Sequence, residues 1–381
     1  MSKKKLSILI DWYLPGTKAG GPVRSIYSLI ALLKSEFDIY LITTNQDLGS
    51  NEEYKGIKAN EWIRKEDVNY FYFSKDHLSK ENLKKLLLEV NSDVVYLNSF
   101  WSYWFSIFIV QLKNQGELNS EVVLAPRGML GKGALHIKSL KKRIYITLSK
   151  AKNFYKNIHF HATNAQEESD IKQFYPKAHI TVLENVNNAT PLKTEKEKKP
   201  GHISLFYLSR ISKVKNLHFA LEVLSKVEKY VVEYTIYGNI EDVAYWNECL
   251  QQIKELPGHI KVYYKGELPF HEVQRTIAQH HYLFLPTTNE NFGHSIVESL
   301  MSSCPVIISD QTPWNDVEKN EAGFALNLDT KGNFIKTIEE CAAMNNADYN
   351  KHSEAALNYI NKKINLSLIN QKYIQLFNGK R

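Results

Sequence analysis

The amino-acid sequence predicts an α/β protein of two domains, each built on a parallel β-sheet. Its 381 residues suit two domains of about 100–200 residues better than one. Its apolar fraction of 43% is sufficient for two buried cores. Short apolar runs alternate with amphipathic segments both before and after one polar stretch. This alternation indicates parallel sheets whose strands are connected by helices.

The first half begins with two predicted strands that flank a helix. The strands are predicted at residues 6–13 (LSILIDWY) and 37–44 (FDIYLITT), and residues 22–33 between them carry apolar side chains at helical spacing. Further strands are predicted over residues 68–73, 93–98, 121–128, 158–163 and 179–185. Further helices are predicted over residues 79–90, 134–155 and 164–174. Ser79 is a suitable N-cap for the first of these helices.

A polar, charged segment rich in lysine marks a linker at residues 189–201, and the alternation restarts after it. Strands are predicted over residues 203–209, 234–239, 260–266, 282–287 and 304–310, and helices over 216–227, 244–254, 270–280, from about 294, and over 366–377. The sequence therefore predicts an N-terminal domain (1–188), a C-terminal domain (202–362) and a last helix within 363–381. That helix is expected to pack back toward the N-terminal domain. Two such domains predict a ligand-binding cleft at the carboxyl ends of their strands.

The formal net charge of +7 comes entirely from the first half. Residues 1–190 contain 26 Lys and Arg against 19 Asp and Glu, whereas residues 191–381 contain 22 of each class. No acidic residue stands between Val122 and Gln166. This pattern favours an anionic partner for the first domain, or else a basic surface that is only solvated. The chain shows no nucleic-acid-binding motif.

Cysteine usage and hydropathy narrow the class of protein further. The cysteines Cys249, Cys304 and Cys341 are widely spaced and form no metal-ligand pattern, so a reducing, cytoplasmic location is predicted. The apolar run before Asp11 is too short for a signal peptide, and no stretch approaches the roughly 18–20 apolar residues of a membrane span. A nicotinamide-dependent oxidoreductase is disfavoured, because the loop after the first strand lacks GxGxxG.

The stretch TTNENFGHSIVESLMSSCPVIISD (287–310) carries the strongest functional signal. It follows a predicted strand, turns at Phe292 and Gly293, and enters a helix whose N-terminal N–H groups and dipole favour a phosphate. Glu290 precedes this helix and Glu298 lies about one turn inside it, where carboxylates suit sugar or ribose hydroxyls. Two glutamates at this spacing also occur as a solvated pair. The functional interpretation therefore depends on the surrounding strand–turn–helix pattern.

Two further segments carry groups that suit phosphates. In SLFYLSRISKVKN, Arg210 and Lys215 follow a predicted strand and are placed to neutralise a diphosphate, although a surface ion pair is the alternative. In PGTKAGGPVRS, Gly16, Gly20 and Gly21 precede a helix. Such a loop can lay backbone N–H groups against a phosphate.

Together these segments resemble the retaining glycosyltransferases of family 4, and the resemblance extends over essentially the whole chain. It is carried by ENFGHSIVESL, CPVIISDQTPW, SRISKVKN and AGGP. APRGML and HATNAQEESDI are similar to the bacterial branch that assembles capsule, O-antigen and exopolysaccharide. The resemblance implies the GT-B fold, in which two Rossmann-like parallel-sheet domains face each other across a cleft.

By this resemblance the C-terminal domain would bind a nucleotide-sugar donor, UDP-linked by expectation, without a metal or other cofactor. Glu298 would hold the ribose hydroxyls, Glu290 would act beside the transferred sugar, and Arg210 with Lys215 would bind the diphosphate. Main chain near Gly266 and Leu268 would contact the base. The implied donor-binding set is Gly21, Arg210, Lys215, Gly266, Leu268, Asn291, Phe292, Gly293, His294, Ser295, Ile296 and Glu298.

The acceptor side departs from the pattern of the family. Arg127 stands about where many relatives have a histidine, and Asn98 stands at another position that is often histidine. Both are predicted to bind the acceptor, and Arg127 and Glu290 are the predicted catalytic residues. Ser303 replaces a frequent glycine before Cys304, and Asn291 replaces the commoner glycine of the Glu-Gly-Phe-Gly form.

The implied reaction is α-retaining transfer by front-face attack onto a saccharide acceptor. Acceptors in this branch are commonly linked to polyprenyl diphosphate at the inner face of the cytoplasmic membrane. A basic amphipathic helix over residues 135–155 is accordingly expected to contact anionic lipid peripherally. Two other functions stay open. One is a nucleotide-sugar epimerase on the same scaffold, and the other is a non-catalytic, sugar-binding accessory subunit.

Overall fold

The computed structural model describes residues 3–131, 135, 139–187 and 189–379. The chain divides into two compact units. The N-terminal unit comprises Met1–Asn188 together with Leu366–Arg381, and the C-terminal unit comprises Ala189–Asn365. Each unit contains one β-sheet.

The sheet of the N-terminal unit has eight strands in the order β3-β4-β2-β1-β5-β6-β7-β8. The strands are β1 (Lys4–Leu9), β2 (Phe37–Thr44), β3 (Trp62–Lys65), β4 (Val68–Phe73), β5 (Val94–Leu97), β6 (Glu121–Leu124), β7 (His159–Ala162) and β8 (His179–Val182). All neighbouring pairs are parallel except β3 with β4. The central strands β1 and β5 are buried along most of their length, which explains why they read as continuous apolar runs.

Helices cover this sheet and lie between its strands in the chain. They are α1 (Gly21–Leu33), α2 (Lys80–Val90), α3 (Phe108–Asn114), α4 (Ser139–Ala151) and α5 (Ala165–Phe174), with a π-helical turn at Tyr103–Ile107. The side chain of Ser79 accepts a hydrogen bond from Asn82 N and caps α2, as the sequence predicts.

The last helix of the chain, Leu366–Asn378, belongs to the N-terminal unit although the whole C-terminal unit precedes it. The Phe377 ring centre lies 6.0 Å from that of Phe37 and 5.1 Å from that of Tyr96. Tyr373 donates a hydrogen bond to Glu184 O at 2.9 Å. This helix therefore completes the aromatic core of the first sheet.

The sheet of the C-terminal unit has six parallel strands in the order β11-β10-β9-β12-β13-β14. They are β9 (His202–Leu208), β10 (Val231–Tyr237), β11 (Ile260–Gly266), β12 (Tyr282–Leu285), β13 (Val306–Ser309) and β14 (Gly323–Leu326). The helices are α6 (Leu217–Leu224), α7 (Val243–Lys254), α8 (Val273–Ile277), α9 (His294–Met301), α10 (Lys331–Ala343) and α11 (Asn346–Lys363). The last helix of the chain is then α12.

Some predicted boundaries were wrong. The basic helix predicted to reach residue 155 ends at Ala151 as α4, because Asn153 adopts a left-handed backbone with φ of 47° and the chain turns there. Residue 134 and residues 136–138 of that prediction lie outside the described residues. The helix predicted over 270–280 is a 3₁₀ turn, Phe270–Glu272, followed by the short α8. None of β3, β14, α3, α10 and α11 was predicted from the sequence.

Within the described residues, no helix combines the length and apolar character needed to cross a membrane.

Candidate active site

A lysine and a glutamate meet at the carboxyl edge of the C-terminal sheet. Strands β9 and β12 are parallel neighbours, so the loops that follow them emerge at the same edge. Lys215 lies in a 3₁₀ turn after β9, and Glu290 lies on the loop after β12. Lys215 Nζ is 2.6 Å from Glu290 Oε2, and the two side chains are only 12% and 16% exposed. The predicted cation and the predicted catalytic acid are therefore in direct contact.

Hydrogen bonds between the two loops fix this ion pair. The carbonyl of Val214 accepts bonds from Thr288 N at 2.8 Å and from the hydroxyls of Thr287 and Thr288 at 3.0 and 3.1 Å. Asn216, in a left-handed conformation with φ of 60°, donates its side-chain amide to Pro286 O at 2.9 Å. Lys215 is thus held between two residues that are tied to the neighbouring loop.

The carboxylate of Glu290 is held at both of its oxygens. Oε2 accepts from Lys215, and Oε1 accepts from Asn291 N at 3.2 Å. The backbone N–H of Glu290 donates to Gln311 O at 3.1 Å. A carboxylate engaged in this way is positioned by its surroundings, which suits the orientation of a neighbouring group.

Gly293 connects this carboxylate to helix α9. Its φ of +81° lies in the left-handed region, where glycine carries no steric penalty. A Cβ at this position would lie 2.9 Å from Ile296 Cδ1 and 3.3 Å from Glu290 Cγ. Gly293 is also the N-cap of α9 and provides no side-chain cap. The first turn of the helix, His294 to Ile296, consequently begins immediately beside Glu290.

The remaining predicted residues of this segment are mostly buried. Glu298 is only 3% exposed, and its carbonyl accepts bonds from Ser302 N and Oγ. The ring of Phe292 is buried and its carbonyl accepts from the Trp314 indole at 2.5 Å. The rings of Phe292 and His294 are 4.8 Å apart. Ser295 and Ile296 are buried in the first turn of α9.

The second predicted cation has a different partner. Arg210 Nη1 lies 2.8 Å from Glu241 Oε1, and these side chains are 36% and 41% exposed. Glu241 was not among the residues predicted from the sequence. The two residues predicted to contact the base, Gly266 and Leu268, lie at the same carboxyl edge of the sheet. Gly266 ends β11 with φ of +73° and accepts a hydrogen bond from Gly238 N at 2.8 Å, and Leu268 is half-buried on the loop beyond it.

In the N-terminal unit, the two residues predicted to bind the acceptor also meet. Arg127 follows β6 and adopts a left-handed backbone with φ of 58°. Its Nη2 donates to Asn98 Oδ1 at 2.7 Å and to the Tyr96 hydroxyl at 2.9 Å, and its Nη1 donates to Asn185 Oδ1. Asn98 is buried and Arg127 is half-buried. Among these contacts, sequence reasoning had named only Asn98.

Behind Arg127 lies a buried histidine that the sequence did not assign to the site. His161 Nδ1 is 2.7 Å from the Tyr96 hydroxyl, and its Nε2 is 2.7 Å from Leu183 O. Burial and then the positive charge of Arg127 lower the pKa of His161 to about 3. The ring is therefore neutral. Its Nε2–H donates a hydrogen bond to Leu183 O, and its Nδ1 accepts a hydrogen bond from the Tyr96 hydroxyl. Tyr96 in turn accepts from Arg127.

Glu167, near the start of α5, fixes the loop that carries Arg127. Its carboxylate is buried and accepts bonds from Gly128 N at 2.5 Å and from Thr163 N at 2.7 Å. The predicted phosphate-binding glycine, Gly21, is the first residue of α1 and follows Gly20, whose φ is +65°. A glutamate in the first turn of a helix is common enough that the sequence alone gave no reason to select Glu167.

Part of the chain matches a known protein family. Residues 188–358, somewhat less than half of the chain, match the model of the family described as glycosyl transferases group 1. This segment contains Lys215, Glu290 and α9. Comparison with curated proteins gives no match.

Solved structures similar to the chain cover it almost completely. Sucrose-phosphate synthase from Thermosynechococcus elongatus aligns with a TM-score of 0.74 at 13% identity, over 99% of both chains. Anabaena Alr3699/HepE in complex with UDP and glucose aligns with a TM-score of 0.71 at 14% identity, over 99% of this chain and 100% of HepE. The lipopolysaccharide outer core galactosyltransferase WaaB gives 0.65 at 14% identity, over 99% and 100%.

These likenesses confirm the predicted fold class: the chain has the GT-B fold, with one parallel-sheet α/β domain in each unit. The match of residues 188–358 to glycosyl transferases group 1 supports glycosyl transfer as the activity.

Proposed function

We propose that this protein is a retaining glycosyltransferase that moves a sugar from a nucleotide-diphosphate sugar, UDP-linked, to a saccharide acceptor. We further propose that the acceptor is lipid-linked and that the product is a bacterial surface polysaccharide. The contact between Lys215 and Glu290 beside the start of α9 carries the proposal.

This ion pair leaves the lysine able to bind a phosphate. An ammonium group has three N–H donors, and the contact with Glu290 uses one of them. The other two can donate to a diphosphate while Glu290 keeps Nζ in place. The adjoining helix N-terminus adds backbone N–H groups and a partial positive charge. Arg210 would bind the same diphosphate after exchanging its exposed partner, Glu241.

The acids then suit the neutral parts of the donor. Glu298, buried within α9, is proposed to accept from ribose hydroxyls, and Glu290 to orient the transferred sugar. Both oxygens of Glu290 already accept hydrogen bonds, which supports an orienting role over nucleophilic attack. The complexes of HepE with UDP and glucose and with UDP-glucose support the choice of donor.

The proposed reaction proceeds on one face of the sugar. The bond from the anomeric carbon to the leaving phosphate oxygen breaks while the acceptor oxygen forms its bond on the same face. The proton of the acceptor hydroxyl passes to the leaving phosphate. The protein supplies positioning and charge stabilisation, with Lys215 and Arg210 at the diphosphate and Arg127 with Asn98 at the acceptor. No metal is part of this proposal.

Ligand-induced stabilisation tests the donor site. UDP, GDP, ADP and their sugar conjugates would be compared by thermal unfolding in the presence of a chelator. At about 100 times Kd, a ligand that binds only the native state adds about 2.7 kcal/mol to the free energy of unfolding. We expect one nucleotide to stabilise the protein, and Lys215→Met to weaken its affinity about 10- to 100-fold, because a hydrogen bond to a charged group is lost.

Lys336→Met is the matched control, since Lys336 is 76% exposed and pairs with Glu340 in α10. Its nucleotide affinity should equal that of the unaltered protein. Equal affinities for the Lys215 and Lys336 variants, or stabilisation that needs a metal ion, would contradict the proposal. The anomeric configuration of the product, measured by NMR, distinguishes retention from inversion, and interconversion of donor sugars would identify an epimerase.

A further inference from the structure

Strand β11 forms an open edge of the C-terminal sheet. It is the last strand in the order of that sheet, and among the described residues no strand pairs with its outer side. It has seven residues, whereas the edge strands β3, β8 and β14 have four each. Short edge strands limit pairing with another chain, and a long exposed edge strand favours it. Of these edges, β11 is therefore the best suited to accept a further strand.

Alternate backbone groups of β11 point away from the sheet. The carbonyl of His259 accepts a hydrogen bond from Val232 N of β10, and the pairing of the two strands continues in register from there. Every second residue up to residue 263 therefore directs its N–H and C=O groups toward β10. The N–H and C=O groups of Val262 and Tyr264 consequently point outward, where a further strand could bond to them.

Large apolar side chains lie along this edge. Tyr263 and Tyr264 project from opposite faces of β11 and are 42% and 40% exposed. The ring centre of Tyr264 lies 4.8 Å from that of Trp246 on α7, so α7 covers the face of the sheet that carries Tyr264. Two other residues of α7, Val243 and Leu250, are 65% and 36% exposed. The strand and the helix thus both expose apolar surface.

The exposed side of α7 is the side next to the open edge. The Tyr245 hydroxyl accepts a hydrogen bond from His218 N at 2.9 Å, so Tyr245 marks the side of α7 that faces α6. At about 100° per residue, Trp246 lies one step round the helix from Tyr245, toward β11. Leu250 and Val243 lie further round in the same direction. They therefore face past β11, away from α6.

We propose that β11 pairs with β11 of a second copy of this chain, antiparallel and about a twofold axis at Tyr264. The N–H and C=O groups of Tyr264 would exchange hydrogen bonds with those of Tyr264 in the second copy, which joins the two sheets into one. This axis is perpendicular to the sheet, so the two copies of α7 would lie on the same face. Their Val243 and Leu250 side chains would then line the space between the two helices.

The charge pattern of β11 favours a second copy in this register. Lysines on an edge strand commonly oppose pairing, and Lys261 and Lys265 lie on the same face as Tyr263. An axis at Tyr263 would place Lys261 opposite Lys265, which like charges disfavour. An axis at Tyr264 instead places each Lys265 opposite Tyr263 of the other copy, a favourable cation–π pair.

The same pair of residues already interacts within one chain, where Lys265 Nζ lies 6.0 Å from the centre of the Tyr263 ring. Lys261 would lie near Glu267 of the second copy, with opposite charge. A twofold axis makes each of these contacts twice, so one short segment is complementary to itself. This self-complementarity is the reason for choosing a second copy over an unrelated partner.

Sedimentation velocity of the full chain at several concentrations tests the proposal. We expect a dimer, and we expect Tyr264→Glu to raise its dissociation constant about 100-fold, because two glutamates would lie opposite each other. Tyr264→Lys should act similarly. An equimolar mixture of the two variants should dimerise about 10-fold more tightly than either variant alone, because glutamate would then lie opposite lysine.

Val243→Glu is a second variant that is expected to fold normally, because Val243 is mostly exposed. It should raise the dissociation constant about 10-fold through repulsion between the two copies of α7. Leu88→Glu is the matched control, since Leu88 is 50% exposed on α2, and it should dimerise like the unaltered protein.

A protein that stays monomeric at every concentration would overturn the proposal. A dimer that neither the Tyr264 variants nor Val243→Glu weaken would also overturn it, as would mixed Tyr264 variants that associate no better than each alone. The assay needs neither nucleotide nor acceptor, so its result does not depend on the proposed donor site.

Discussion

The two units hold the cations at their sheet edges in different ways. In the C-terminal unit, Lys215 contacts a carboxylate, that of Glu290, so the charges of the pair cancel. In the N-terminal unit, the hydrogen bonds of Arg127 go to neutral acceptors on Tyr96, Asn98 and Asn185. The guanidinium of Arg127 therefore pairs with neutral oxygen atoms through Nη1 and Nη2, whereas its buried Nε has no hydrogen-bond partner among the described residues.

This difference bears on how each edge would receive a ligand. An edge with a neutralised pair provides a positioned lysine and a positioned acid together, which suits a donor with both phosphate and sugar groups. An edge whose arginine is hydrogen-bonded to neutral acceptors can attract electron-rich oxygen atoms, and those acceptors keep the guanidinium in one orientation. Substitutions at either edge test this difference.

The largest effect on stability is expected at Arg127. Arg127→Met removes the bonds to three side chains and takes away the Arg127 donor of the buried Asn98 Oδ1, so the N-terminal unit should lose about 2–4 kcal/mol. Hydrogen exchange of the amides in β5 and β6 would measure this loss locally. Arg64→Met is the control, because Arg64 is 65% exposed and 3.8 Å from Asp67. Equal stability of the two variants would show that the Arg127 network carries little energy.

Gly293→Ala alters the edge of the C-terminal sheet that carries Lys215 and Glu290. The left-handed φ and the 2.9 Å approach to Ile296 Cδ1 should cost about 1–2 kcal/mol, and the crowding at Glu290 Cγ should also weaken nucleotide binding. Thermal unfolding with and without nucleotide measures both effects. Gly332→Ala, in the first turn of α10 with no atom within 4 Å of the added Cβ, should be neutral or slightly stabilising. The strain argument fails if both alanine variants behave alike.

The smallest effect is expected at Ser303, which is, like Arg127, a non-glycine residue with a left-handed backbone. Arg127 has φ of 58° and Ser303 has φ of 52°. Ser303 Oγ donates to Leu192 O at 2.9 Å, which offsets part of the backbone cost. Ser303→Ala should lose about 1 kcal/mol, whereas Ser303→Gly should stay within about 0.5 kcal/mol of the unaltered protein. Urea unfolding of the two variants measures their free energies of unfolding. A Ser303→Ala variant more stable than Ser303→Gly would contradict this prediction.

Most of the strands, and the functional residues that follow them, could be predicted from the pattern of apolar residues. Lys215 and Glu290 were both recognised because each follows an apolar run, and parallel strands bring such residues to one edge. Their direct contact was not predictable, since it requires β9 and β12 to be neighbours although β10 and β11 lie between them in the chain. Their roles in catalysis stay predictions.

The missed features have physical reasons. Strand β3, WIRK, is a mostly exposed edge strand whose charged side chains conceal any alternation. The partners of Arg127 come from β5, from the loop after β8 and, through Tyr96, from His161 in β7, so no local spacing relates them. Glu241 was missed because an exposed acid in a loop is the commonest kind of surface residue.

Helix α12 has a consequence for how the protein is made. Its residues leave the ribosome only after the entire C-terminal unit, yet Tyr373 and Phe377 fill the aromatic core beside β5 and β7. Domains usually fold in the order of their synthesis. Here the N-terminal unit cannot complete its core until α12 has been synthesised, so the C-terminal unit can finish folding before the N-terminal unit.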